Sequence, residues 1–464
     1  MIALLETARA NLARFARSKG VWALLLIAPI SARVWLPREG GESTVISVNA
    51  RSPELTAPML GVSLGIVVAT LLWPLAYAYL RAGATRRQPW ALIDVTPASR
   101  IARTYGMWLS FVALFAALLA TLTLAGWILG LTLIGPGATS YSAIAYALWV
   151  TAFPALCLAA GLYVLLQALP FARGAGGDVL FFVCWAAGLI AAIAAGSTGS
   201  AQAPFFDYGG FIAPLSYELN PDDLEIAIGG SPQTKGRIAL AVTPALTAPN
   251  YLAARGLWLA IAAALPLIAG AAWAPHRARK PQRAGWLSAL AMARLWATPK
   301  ASLQPAAKAG LAWLGLVAEE IAALMRQPLF LIALAAIAAL GVAQPYRAFA
   351  GPASMLLLLF PATARAGWRA SAGLAPLLRT LPTPALGRGL ALVAAVIALS
   401  LVMALPAQIL NLAGAAAPLA LAVLSGVVTG GLAVASASLT GSAFVGRLAL
   451  LALWYGYFAS NGMM

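Results

Sequence analysis

The sequence predicts an all-α, polytopic integral membrane protein with about 11 transmembrane helices in two related halves, six in the first and five in the second. Two features of composition support this fold class: 62% of the 464 residues are hydrophobic and only 9% are charged. The mean hydropathy of +0.87 is far above that of soluble domains of this length. Apolar stretches near the length of about 20 residues that a spanning helix needs recur along the whole chain.

The apolar stretches set the predicted spans. They lie at residues 21–36, 57–80, 104–134, 143–169, 179–195, 251–274, 329–343, 350–364, 389–414, 417–437 and 446–460. The two cysteines, Cys157 and Cys184, fall inside two of these spans and indicate packed thiols rather than a disulfide framework.

The distribution of charge supports this count and fixes an orientation. With the N-terminus inside, the inner segments hold 23 of the 30 Lys and Arg residues but only five of the 13 Asp and Glu residues. Cytoplasmic loops of membrane proteins carry such an excess. We therefore expect a multi-pass protein of the cytoplasmic membrane with its C-terminus outside. The net charge of +17 then reflects contact with the lipid bilayer, and no nucleic-acid partner is expected.

The chain also repeats itself. Pro97 and Arg103 recur as Pro382 and Arg388, both at an offset of 285, within similar segments. Each half begins with an amphipathic stretch. We therefore divide the chain into a first transmembrane half (1–274), a basic cytoplasmic linker (275–310) and a second half (311–464) that lacks a counterpart of the sixth span.

The amphipathic stretches predict two inner helices at the membrane surface. In the first, Leu12 and Phe15 share an apolar face and Arg17 lies opposite. The second contains Glu320 and ends with Leu324 on the apolar face and Arg326 opposite.

The longest outer segment, residues 196–250, contains six prolines and predicts short helices on the outer membrane face. Asn220-Pro221-Asp222-Asp223 is typical of a helix start.

Two inner loops are the strongest candidates for a docking role. Each carries a Leu-Ile or Leu-Leu pair, a proline and flanking arginines, which suits a short helix that fits a groove on a cytoplasmic partner. Anchoring of span ends at lipid headgroups is the competing interpretation. The residues concerned are Leu92, Ile93, Asp94, Pro97, Arg100 and Arg103 in the first loop, and Leu377, Leu378, Arg379, Pro382 and Arg388 in the second.

The motifs that the chain lacks are also informative. It contains no Gly-Lys dipeptide, so a phosphate-binding loop for ATP is excluded. His276 is the single histidine, which argues against a metal or haem site, and the spans contain almost no carboxylates for ion coupling. Asp94 and Asp178 are expected to cap helices or pair with nearby arginines. We therefore expect no catalytic, metal or cofactor site in this chain, which is not predicted to be an enzyme.

The arrangement resembles the membrane subunits of ABC-2 type ABC transporters. The resemblance rests on the amphipathic inner helix that ends in a basic turn (Arg17-Ser18-Lys19; Arg326-Gln327-Pro328), and on inner loops such as Leu92-Ile93-Asp94-Val95-Thr96-Pro97. It implies that residues 88–103 and 371–388 are coupling helices that contact two copies of a separate ATPase subunit, which would bind the ATP. The family's subunits are usually single six-span halves that dimerise, so a homodimer of fused chains is an open alternative.

Two other functions remain open at this point. An ion-coupled secondary transporter would move its substrate without an ATPase. A membrane enzyme or assembly factor would use an outer-face site, for which the acids Asp222, Asp223 and Glu225 are candidates, although a solvated helix start accounts for them more simply.

Overall fold

The computed structural model describes most of the chain. The described residues are 2–17, 19–36, 43–84, 99–170, 172, 175–221, 224–232, 235–273, 309–325, 328–342, 346, 349–371, 385–409, 416–441 and 443–459. They divide into two compact units. The first comprises residues 2–80, 99–170 and 181–273, and the second comprises residues 81–84, 172, 175–180 and the described residues from 309 onward. Nearly all of the predicted basic linker, 275–310, lies outside the described residues.

The first unit is mainly helical. Its helices are α1 (Ile2–Ala16), α2 (Lys19–Ser31), α3 (Ala57–Thr70), α4 (Trp73–Ala84, whose last residues belong to the second unit), α5 (Arg100–Leu133), α6 (Tyr141–Ala168), α7 (Ala175–Gly196), α8 (Ala203–Phe206), α9 (Ile212–Ser216), α10 (Val242–Thr247) and α11 (Pro249–Ala271). Side-chain oxygens of Thr56 and Ser140 accept hydrogen bonds from Met59 N and Ala143 N, which caps α3 and α6.

The long helices α5 and α6 form the centre of this unit. Helices α1, α2 and α11 pack on α5, while α3 and α11 pack on α6. Small residues allow the close approach, since a Cβ atom at Gly61 would lie 2.4 Å from Ile144 O and one at Gly161 would lie 2.9 Å from Ala262 O. The glycines of the Gly126-x-x-x-Gly130 motif likewise lie against the side chain of Ile144.

The predicted second span is broken between α3 and α4, which meet at an angle of 46°. Pro74, the second residue of α4, has no N–H with which to bond the carbonyl of Thr70 four residues earlier. The indole of Trp185 on α7 replaces that donor, with Nε1 2.9 Å from Thr70 O. The break is therefore stabilised by a side chain from another helix.

The segments predicted to lie outside contain a small β-sheet that the sequence did not predict. Strands β1 (Ser43–Val48), β2 (Arg51–Pro53), β3 (Ile226–Pro232) and β4 (Lys235–Ile238) form one sheet in the order β3-β1-β2-β4. The central β1 pairs antiparallel with β3, and its Ile46 and Val48 are fully buried. At the predicted helix start Asn220-Pro221, the structure begins a single 3-10 turn at Pro221 (Leu224 N to Pro221 O, 3.2 Å), and the chain then enters β3 at Ile226. Asp222 and Asp223 lie outside the described residues.

The second unit contains α12 (Ala309–Leu324), α13 (Pro328–Leu340), α14 (Ala350–Ser371), α15 (Ala385–Ile409), α16 (Ala416–Thr440) and α17 (Ala443–Ala459). Helices α12 and α13 pack on α15, α14 packs on α15 and α16, and α17 packs on α14 and α16. Helices α15 and α16 cross at Gly426 and Gly430, where a Cβ atom would lie 2.7 Å from the Cα of Ile397 and 2.9 Å from the Cα of Val393.

The helices confirm a polytopic, multi-pass membrane protein. Six helices in the described residues are long and apolar enough to cross a membrane, or seven if the bent pair α3–α4 is one span. The six are Arg100–Leu133, Tyr141–Ala168, Gly177–Gly196, Pro249–Ala271, Leu386–Pro406 and Ala416–Thr440. The predicted spans 21–36, 329–343, 350–364 and 446–460 coincide with α2, α13, α14 and α17, which fall below this standard of length or apolarity.

Candidate functional site

Most residues of the two predicted coupling loops lie outside the described residues. These are Leu92, Ile93, Asp94 and Pro97 of the first loop, Leu377, Leu378, Arg379 and Pro382 of the second, and Arg326 at the end of the second amphipathic stretch. Arg100, Arg103 and Arg388 are described, and each lies in the first turn of the helix that follows its loop. The structure therefore shows how the bases of the loops are held.

The end of the first loop is fixed to the C-terminal end of α11. Arg100 Nη1 donates to Trp273 O at 3.2 Å, and Thr104 Oγ1 donates to Pro266 O at 2.7 Å. A Cβ atom at Gly270 would lie 2.6 Å from the Cα of Ile101, so the two helices approach to backbone contact. Arg103 is 7% exposed at this crossing. These contacts tie the first turn of α5 to the C-terminal end of α11.

The first amphipathic helix, α1, lies along α5. Phe15 is buried and its ring centroid is 5.8 Å from that of Phe111, while Gly106 of α5 accommodates the backbone of Leu4. Leu12, predicted on the same apolar face, is instead 39% exposed, and Arg17 is exposed as predicted. One part of the apolar surface of α1 therefore packs on α5, and another part is exposed. An interfacial helix needs such an exposed apolar part.

The second amphipathic helix, α12, is held by a buried carboxylate. Glu320 is 3% exposed, and its Oε2 lies 3.0 Å from Arg365 Nε, while Arg369 also pairs with Oε1. Arg369 Nη1 donates to Arg388 O at 3.3 Å. Leu324, one turn after Glu320, is buried in the core of the second unit as predicted. We call Glu320, Arg365, Arg369 and Arg388 the inner charge cluster.

This cluster surrounds the base of the second predicted loop. Arg365 and Arg369 lie in the last two turns of α14, before the loop, and Arg388 lies in the first turn of α15, after it. Glu320 joins the end of α14 to α12, and Arg369 in turn bonds the main chain of Arg388 at the start of α15. A carboxylate this buried is stable only when it is paired, so the ion pairs fix the distance between α12 and α14.

Further charged contacts join helices of the second unit. Arg81 Nε lies 2.9 Å from Asp178 Oδ1, which confirms the prediction that Asp178 pairs with a nearby arginine. In the second unit, Arg447 Nε donates to Thr363 Oγ1 at 3.1 Å and its guanidinium lies 5.6 Å from the ring centroid of Phe360. These contacts link α4 with α7 and α14 with α17.

A second buried charged group lies at the N-terminal end of α11, and the sequence did not predict it. Arg255 of α11 donates to the main-chain oxygens of Asp207 and of Tyr208, the latter at 2.9 Å. The carboxylate of Asp207 accepts hydrogen bonds from Gly210 N at 2.8 Å and Ile212 N at 2.6 Å. Arg255 stands alone in an otherwise uncharged apolar span, which was the available signal.

Burial governs the ionisation of this outer group. Burial raises the pKa of the Asp207 carboxyl above its ordinary value, while the positive charge of Arg255 and the backbone N–H groups oppose that rise. Burial also raises the pKa of Tyr208 well above its ordinary value. The Asp207 carboxylate bonds backbone N–H groups, and Arg255 bonds backbone carbonyls, so the group has a structural role. It joins residues 207–212 to α11, and we call it the outer clasp.

The described residues contain no group of three or more His, Cys, Asp or Glu side chains placed to hold a metal ion. Searches against protein-family models, curated proteins and solved structures find no match for this chain.

Proposed function

We propose that this chain is the transmembrane permease subunit of an ABC transporter of the ABC-2 type, an exporter driven by two copies of a separate cytoplasmic ATPase. The ATPase docks on the inner loops at residues 88–103 and 371–388. In this proposal the chain has 11 spans in two related halves, and α2, α13, α14 and α17 are among the spans.

The observation that carries the proposal is the recurrence of one packing plan in the two units. In the first unit α1 and α2 pack on α5, and α5 and α3 pack on α6; in the second, α12 and α13 pack on α15, and α15 and α14 pack on α16. The chain order of these elements is the same. A duplicated permease unit accounts for this recurrence, while α11 has no counterpart among the described helices of the second unit.

The inner contacts support the coupling role. Each predicted loop leads into a helix whose first turn is bonded to another helix: Arg100 donates to the end of α11, and the main chain of Arg388 accepts from Arg369 of α14. A short loop whose base is tied in this way moves with the spans rather than independently of them. ATP-driven closure of the partner would therefore rock the spans and expose a path on alternate sides.

An association experiment tests the proposal. In the Leu92→Glu/Ile93→Glu variant, co-expressed with its cognate ATPase, we expect loss of ATPase co-purification because the acids remove the apolar docking ridge. The matched control is Leu133→Glu/Ile134→Glu, the same dipeptide at the outer end of α5, which should retain the ATPase. Normal co-purification by the first variant would overturn the docking role. Transport by the isolated chain along a proton gradient would instead indicate the ion-coupled alternative.

A further inference from the structure

Residues 196–251 of the first unit line an open cavity of about 330 Å³. It lies between the C-terminal end of α7, the short helices α8 and α9, and the N-terminal end of α11. The volume lies at the lower end of the range for small-molecule sites, which is about 300–1,000 Å³. The cavity is therefore large enough for a small ligand or for one part of a larger one.

The walls are apolar and the rim is polar. Ala203, Ile212 and Tyr251 are buried in the floor, while Ser200, Glu218 and Asn250 are exposed at the rim. Apolar walls with a few placed polar groups are the usual composition of a ligand site. A ligand that fits must therefore present an apolar body to the floor and a polar group to the rim.

Two hydroxyl groups in the walls already use their protons in hydrogen bonds within the protein. Ser216 Oγ already donates its proton to Ile212 O at 2.7 Å, and Tyr251 Oη donates to Gly210 O at 3.1 Å. The Ser216 oxygen therefore offers lone pairs to a ligand, whereas the Tyr251 oxygen also lies 3.4 Å from Thr151 Oγ1. Glu218 adds a carboxylate, and its backbone is held at φ 65°, a conformation that non-glycine residues rarely adopt.

The charges favour a cation. Among the described lining residues Glu218 carries the one formal charge, and no Lys, Arg or His lines the cavity. The partial positive charge at the N-terminus of α11 is offset by the partial negative charge at the C-terminus of α7. Arg255, one turn deeper than Tyr251, has its charge balanced by Asp207.

From this arrangement we infer that the cavity binds a small cationic molecule with an apolar body, such as a hydrophobic primary amine, whose ammonium group lies near Glu218. Only the further step of regarding this molecule as a transport substrate rests on the proposed function. The binding site itself is independent of the ATPase.

Two fluorescent probes that differ in charge test the inference. N-dansyl-ethylenediamine is cationic and dansylglycine is anionic, and both carry the same apolar fluorophore. With purified protein in nanodiscs of zwitterionic lipid, and empty nanodiscs subtracted, we expect saturable binding of the amine at least about tenfold tighter than binding of the acid. Equal or tighter binding of dansylglycine would overturn the inference.

Variants locate the binding. Glu218→Gln should weaken binding of the amine about five- to tenfold and leave dansylglycine unaffected, whereas Glu225→Gln, an exposed carboxylate of the same segment outside the lining, should change neither. Ile212→Trp should fill the floor and abolish both. Unchanged amine binding by Glu218→Gln would refute the site even if Ile212→Trp failed to fold. Because no ATPase is present, failure here and failure of ATPase docking are separate results.

Discussion

Glu320 of α12 forms an ion pair with Arg365 of α14, with Oε2 and Nε 3.0 Å apart, and the carboxylate is almost completely buried. The same carboxylate pairs with Arg369, so one acid holds two arginines at the base of the second predicted loop. Neither arginine is fully buried, with side-chain exposures of 26% and 18%. The acid is therefore the buried partner on which the cluster depends.

Glu320→Ala should destabilise the second unit. Removing one partner of a buried ion pair costs about 3–5 kcal/mol, and the partial exposure of the arginines reduces the expected loss to about 2 kcal/mol. Thermal unfolding of the purified protein in detergent measures the effect. The matched control is Glu319→Ala, because Glu319 is the preceding residue and is exposed, so its loss should change stability by less than about 0.5 kcal/mol. Equal stability of the two variants would contradict the role given to Glu320.

The outer clasp gives a prediction with a pH dependence. In Arg255→Met the carboxylate of Asp207 loses its balancing positive charge, so its pKa should rise further above its ordinary value of about 3.9. A carboxyl whose pKa is raised by folding contributes stability below its unfolded pKa and loses it as the pH rises through the folded pKa. The variant should therefore be most stable in acid and lose stability towards neutral pH.

Protease cleavage of residues 197–248 across a pH series measures this loss. Adding Asp207→Asn to Arg255→Met should flatten the pH dependence, because no buried charge then forms. Arg51→Met, at an exposed arginine of the outer sheet, serves as the control and should follow the unmodified protein. A pH profile of Arg255→Met identical to that of the control would argue against the clasp.

The packing of α1 against α5 depends on the absence of a side chain at Gly106. A Cβ atom at Gly106 would lie 2.6 Å from Leu4 O and 2.9 Å from Thr7 Cβ, so Gly106→Ala must displace α1 or distort α5. Overpacking of this kind costs about 1–3 kcal/mol. Gly256→Ala, also in a helix but with nothing within 4 Å of the added atom, should be neutral or slightly stabilising. Labelling of cysteines introduced in α1, together with thermal unfolding, detects the displacement. If Gly106→Ala matches the unmodified protein in both measurements, α1 does not pack tightly against α5 at Gly106.

The sequence predicted the parts of this fold that depend on local pattern. Phe15 and Leu324 were placed on apolar helix faces and both are buried, and Asp178 was expected to pair with an arginine. The β-sheet was missed because Ser43–Val48 pairs with residues about 180 positions later in the chain, and such pairing leaves no local signal. Leu12 illustrates a second limit, since periodicity gives the apolar face of a helix but not how much of that face its neighbour covers.

The candidate site was predictable only in part for a related reason. Charge counting located the arginines near the helix ends, but it did not show that Glu320 pairs α12 with α14, or that Arg369 bonds the main chain of Arg388 across the second loop. That contact depends on the packing of α12 against α15, which the sequence does not encode locally. Arg255 was counted among the outer charges, and its partner Asp207 is 48 residues earlier.

The stoichiometry of the complex tests whether both loops bind an ATPase. If each loop binds one ATPase, Leu377→Glu/Leu378→Glu should remove one copy and leave the other on residues 88–103. Native mass spectrometry of the purified complex should then show one ATPase per chain, against two for the unmodified protein. ATP hydrolysis by the variant complex should fall towards that of the free ATPase, because paired ATPases act together in the proposed mechanism, and the permease chain alone should show none. Two bound copies in the variant would mean that the second loop is not a docking element. ATP hydrolysis by the permease chain alone would mean that the ATPase is not a separate chain.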